Sequence, residues 1–132
     1  MALNVPHTGE NLILEMMVNK TAAQNLVLKL FKNNNTPADT DTAATYTEAA
    51  FTGYAALNLT GATWNAAAGG TITYSAQQTF TCSGASAESI YGYFIVQATS
   101  TVLVWSERDA SAPFAIANSG DAVKITPTIS AN

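Results

Sequence analysis

The sequence predicts a mainly β protein: an antiparallel β-sandwich, jelly-roll-like, of about seven to nine strands with a short N-terminal helix. Three observations carry that expectation. Residues 90–107 read IYGYFIVQ-ATST-VLVWSE, two long apolar strands joined by a polar turn, and no other segment concentrates so much aromatic and β-branched surface. Elsewhere, short runs of alternating residues are punctuated by turn residues about every eight to twelve positions, the spacing of antiparallel strands rather than of βα units. Helical periodicity is confined to one stretch near the N-terminus. The 132 residues fit one domain, 1–132, long enough to bury a core without staples, with 1–20 as an N-terminal helical arm.

In chain order, residues 1–8 read as an extended lead containing Pro6 and the only histidine, His7. Thr8 is placed to cap a helix over 9–20, with Glu10 near its positive end and Lys20 near its negative end. Leu12, Ile13, Met16 and Met17 share one helical stripe; a strand through 12–14, interrupted by Glu15, is the alternative. Methionine-rich stripes serve both cores and interfaces. A terminal element can reach a neighbouring subunit at little topological cost, so these four residues are the candidate interface.

Residues 24–32 set Leu26, Leu28 and Leu30 against Val27, Lys29 and Phe31, a strand with one fully apolar face. Asn33, Asn34, Asn35 and Pro37 end it, and 38–45 is a polar loop. Residues 47–60 resume strand character through Phe51, Tyr54, Leu57 and Leu59, with Gly53 marking a bulge or a close backbone approach. Residues 62–65 begin a further strand and 66–70 turn. In 71–75 and 78–82, the core-facing positions fall to Ile72, Tyr74, Phe80 and Cys82. The nearly continuous apolar run after 90 marks a strand covered on both faces, with Tyr91, Tyr93 and Ile95 on one side and Ile90, Gly92, Phe94 and Val96 on the other. Residues 109–113 form a loop and 118–121 a turn. Val123, Ile125 and Ile129 alternate in a last strand that Pro127 demotes to a sheet edge.

Composition narrows the function. Hydrophobic residues make up 48% of the chain but charged ones only 11%, less than half the usual share, and alanine and threonine fill the difference. Such a surface favours contact with other protein over solvation by charge. A net charge of −4 with only 5 Lys and Arg together argues against nucleic acid, which needs clustered cations, and against an anionic membrane surface. No run approaches the roughly 18 apolar residues of a membrane span. Met1 is followed by neither a basic nor a long apolar segment, so synthesis in the cytosol is expected.

Residues with reactive chemistry are sparse. A nucleophilic triad needs a positioned base, and His7, beside Pro6 in a terminal lead, has no companion motif. Glu107 with Asp109, or Glu48 with Asp121, could form a glycosidase-type acid pair, but nothing in the spacing selects either. Asp39 and Asp41 supply too few oxygens for calcium by themselves. Cys82 stands alone, which removes an internal disulfide and a cysteine zinc site; alternating with threonines beside Phe80, it reads as a small buried hydrophobe. Trp64, Tyr46, Tyr54 and Tyr74 would offer a sugar-stacking platform if solvent-facing. No catalytic, metal or cofactor residues are expected.

Several pieces in order resemble a family of small β-rich structural proteins of tailed bacteriophages. They are Val5-Pro6-x-Thr8-Gly9-Glu10, Leu28-x-Leu30-Phe31-x-Asn33-Asn34, Phe51-Thr52-Gly53-Tyr54 and Ile90-Tyr91-Gly92-Tyr93-Phe94, then Val104-Trp105-Ser106-Glu107 and Asn118-Ser119-Gly120-Asp121 leading to Thr126-Pro127. The resemblance spans almost the whole chain. It implies a non-enzymatic virion component, a capsid decoration or head-fibre protein or a tail component, without cofactors. Its partners would be further copies of itself, as a homo-oligomer, and other virion proteins such as the major capsid protein. A carbohydrate-binding β-sandwich is the competing class.

Overall fold

The computed structural model describes residues 2–130; Met1, at the start of the expected arm, and residues 131–132 lie outside the described residues. The elements are β1 Ala2–Asn4, α1 His7–Met17, β2 Leu26–Phe31, β3 Leu57–Leu59, β4 Thr71–Thr73, β5 Gln78–Thr81, β6 Glu88–Ile90, β7 Gly92–Gln97, β8 Leu103–Arg108, β9 Phe114–Ile116, β10 Ala122–Ile125 and β11 Thr128–Ser130, with 3-10 turns at Ala43–Thr45 and Gly61–Thr63. Five strands form one open sheet in the order β1-β8-β7-β2-β3, and the pairs β10-β5, β11-β4 and β6-β9 complete the structure. Every pairing is antiparallel. The mainly β, antiparallel expectation with a single N-terminal helix therefore holds.

The five-stranded sheet is buried on both faces at its centre. All six residues of β7 are buried, as the apolar run up to Val96 requires, since a solvated face would leave alternate positions polar; the polar Gln97 is buried at its end. Leu28, Leu30, Tyr93, Ile95 and Trp105 on one face join Leu12, Phe51, Leu59, Tyr74, Phe80, Ile90 and Ile116 in the main core. On the other face Phe31, Phe94, Val96 and Leu103 close around Tyr46, which stacks on Phe94 with ring centroids 5.1 Å apart. The loop over 38–45, read from the sequence as polar and exposed, thus leads directly into Tyr46, which covers that face.

Strand number exceeds the expected seven to nine, and the reasons are local. At Tyr91 the chain passes from the β6-β9 pair to the large sheet: the Tyr91 N–H donates to Phe31 O and its carbonyl accepts from Asp109 N. The break reverses the side-chain phase, so Ile90 shares the main core with Tyr93 and Ile95 while Tyr91 packs with Phe94 and Val96, the opposite of an unbroken alternation. Pro127, fully buried and unable to donate to a ladder, divides the last strand into β10 and β11. Strand pairing also recruits β1 and β9, whose three-residue lengths give no periodic signal.

One predicted strand is shortened and one is absent. Of 47–60 only Leu57–Leu59 forms a strand, with Glu48 in an isolated bridge to Phe31, because Gly53 turns the chain with φ 87° and Thr52 O accepts from Ser83 N instead of entering a ladder. Residues 62–65 form the end of a 3-10 turn, with Trp64 in an isolated bridge to Tyr74. The helix runs His7–Met17 rather than over 9–20. Thr8 does not cap it; its hydroxyl donates to Leu103 O at 2.9 Å, a tertiary contact that outcompetes the local one.

Candidate functional site

The N-terminal stripe is divided by its own helix. Pro6 begins α1 with an extended conformation, and Glu10 occupies the first turn, where a carboxylate suits the positive helix end. Gly9 lies so close to β8 that a Cβ there would fall 2.1 Å from the Val104 carbonyl oxygen. A register shift between Ile95 and Val96 opposite β8 leaves Val104 as the extra residue of a bulge, and bulges re-aim the backbone; here it meets the helix. From that contact the helix phase follows. Leu12 is buried in the main core, Met16 packs against it, and Ile13 is half-buried. Met17 points the other way, and so do Leu14 and Val18: their exposures are 76%, 60% and 75%. Of the four candidate interface residues, one is core, two are half-buried and one is solvent-facing. Leu14 and Val18 were missed, although their i, i+3, i+4 spacing with Met17 was present in the sequence.

A second feature lies where β6, β8, β9 and β10 meet. It is a cleft of about 260 Å³ with apolar walls from Ile90, Phe114, Val123 and Ile125, and with Glu107, Asp109 and Lys124 among its lining. Phe114 is 38% exposed. At the floor the Tyr93 hydroxyl donates to Glu107 Oε2. Burial, reinforced by that carboxylate, pushes the phenol well above the ordinary tyrosine pKa. Tyr93 therefore stays protonated and acts as a fixed donor. Glu107 and Asp109, one of the two acid pairs considered from sequence, do share this cleft. Glu48 and Asp121 share no partner: Glu48 accepts from Lys29 Nζ at 2.8 Å and from the Tyr54 hydroxyl at 3.0 Å, while Asp121 accepts from Ala117 N and Asn118 N in its own turn.

The remaining candidates have structural roles. His7 is exposed, and its Nδ1 lies 3.0 Å from Glu10 Oε2; that hydrogen bond, with the Glu10 and Asp39 charges, holds its pKa above the usual histidine value. Asp41 is buried and accepts from Ala38 N and from the Tyr46 hydroxyl, at 3.0 and 2.7 Å, which ties the 38–46 loop to the sheet. Cys82 is buried, its Sγ 3.0 Å from Gly84 O. Among the platform aromatics, Tyr46 and Tyr74 are buried, Tyr54 packs on Phe80, and Trp64 stands edge-on to Tyr74 and Trp105. Among the described residues no group of three or more His, Cys, Asp and Glu is arranged to hold a metal ion, and no helix is long and apolar enough to cross a membrane.

No protein-family model matches the chain, and none of the curated proteins matches it.

Proposed function

We propose that the chain is a non-enzymatic structural protein of a tailed-phage virion, made in the host cytoplasm. In this reading it is a capsid decoration protein that assembles with copies of itself and with the major capsid protein. The five-stranded sheet is then one layer of a β-sandwich and the three two-stranded pairs the other. The observation that carries the reading is the exposed apolar face of Leu14, Met17 and Val18 on a helix whose opposite face is already seated in the core. Exposed apolar surface gains free energy when a partner removes it from water, and a chain with 11% charged residues resists such contact weakly. The resemblance of the ordered motifs to small phage structural proteins is what supports the virion context, and it serves a tail or fibre component equally well. A sugar-binding module is less well supported, since the platform aromatics are engaged in packing.

Light scattering of the purified chain and co-sedimentation with phage particles test the proposal. The expected outcome is an oligomer in solution, or a monomer that pellets with particles. A monomer that leaves the particles unlabelled overturns it.

A further inference from the structure

The exposed face of α1 and the Phe114 cleft belong to opposite ends of the β7–β8 hairpin. The chain enters α1 beside Leu103, through the Thr8 hydroxyl, and returns to β2 where Asn25 O accepts from Ala98 N. Both anchors are at the turn end. The cleft gathers Gly92, Glu107 and Asp109 at the other end, about 13 Å further along β8 at roughly 3.3 Å per residue. Within one molecule the two features therefore lie at separate ends of the hairpin.

Resting on the assembly reading above, we propose that the cleft of one copy receives the Leu14, Met17 and Val18 face of the next. The contact is head to tail, between unlike surfaces of identical chains.

Three properties match. The cleft, at about 260 Å³, is smaller than the roughly 300–1,000 Å³ of pockets that hold whole ligands, a size suited to one or two protruding side chains. Methionine adapts to irregular apolar gaps, and Met17 is the most exposed large apolar residue among the described residues. Charge is complementary as well. Lys20 and Glu15 flank the helix face as a solvent-exposed pair, worth little where it stands. The cleft lining also carries both signs, with Glu107 and Asp109 to meet Lys20 and Lys124 to meet Glu15. A contact between unlike surfaces closes into a ring if its rotation allows and otherwise propagates.

Two variants at exposed positions test the pairing on the full chain. Met17→Asp disables the helix face and Ala122→Glu obstructs the cleft; Phe114→Ser replaces the latter should Ala122→Glu fail to fold. Sedimentation velocity is expected to show wild-type oligomers, each variant alone as a monomer, and an equimolar mixture of the two as a one-to-one dimer. The mixture has one intact face and one intact cleft, so it doubles in mass and extends no further. Wild-type oligomers with variants that remain assembled, or with a mixture that remains monomeric, overturn the head-to-tail pairing while leaving assembly itself standing. A wild-type monomer that binds particles does the same. A wild-type monomer that binds none removes the assembly reading and this inference with it.

Discussion

Trp105 and Glu88 are the residues whose environments translate most directly into measurable stability. Trp105 is 2% exposed and meets Trp64 edge-on with centroids 6.0 Å apart. Trp105→Ala is expected to cost about 3–5 kcal/mol, through lost transfer energy and the cavity left behind. A chemical-denaturation midpoint unmoved by the change would contradict it. Glu88 links three segments: it accepts from Lys32 Nζ at 2.8 Å and from Ala50 N at 2.9 Å. Burial alone would raise its pKa, but the lysine and the backbone N–H outweigh burial and hold it below the usual glutamate value. A carboxyl depressed in the folded state contributes stability above its unfolded pKa and loses it as pH falls through the folded value. Glu88→Gln should therefore cost about 1–2 kcal/mol at neutral pH, and the difference from wild type should shrink steadily below about pH 4. Urea titrations of both proteins at neutral and acid pH check this, and a gap independent of pH would count against it.

At the scale of elements, α1 has two faces with different energetic weight. Leu12 is buried among Val104, Trp105 and the other main-core residues, whereas Met17 is mostly in water. Leu12→Ala should cost about 2–5 kcal/mol, and Met17→Ala should stay within about 0.5 kcal/mol. Equal effects on the thermal midpoint would show that the helix is seated otherwise. This contrast also bears on removal of residues 1–20. That truncation deletes β1 from the sheet edge beside β8 and uncovers part of the core, so it is expected to destabilise the fold. Point changes at Met17 are the cleaner probe of assembly.

For the whole molecule, pairing is dominated by strands distant in sequence. β1 pairs with β8, β4 with β11 and β2 with β7. Closing such loops costs entropy before any contact rewards it, so refolding is expected on the millisecond-to-second scale typical of non-local β topologies. Stopped-flow tryptophan fluorescence measures this; complete refolding within microseconds would be inconsistent with the topology.

What the sequence by itself determined is whatever depends on neighbours along the chain. Alternation marked β2, β5 and β10, the apolar run after 90 marked β7 as covered on both sides, and the repeat of Leu12, Ile13, Met16 and Met17 marked an amphipathic N-terminal helix. Gly53 announced its close approach to a neighbouring segment, at Ser83, and Cys82 its burial. What only the tertiary structure decided is where partners come from. A period of two says that Ile90 and Tyr91 face opposite ways, but the break between the β6-β9 pair and the large sheet chose which core each joined. A helical stripe names a set of apolar residues. The Val104 bulge against Gly9 selected the half that is buried and left Leu14, Met17 and Val18 outside. The cleft draws Ile90, Glu107, Phe114 and Val123 from four strands, and no local pattern links them. Local periodicity records the repeat of an element, while contact between elements depends on chain segments brought together across long loops, and that information is carried by no single stretch of residues.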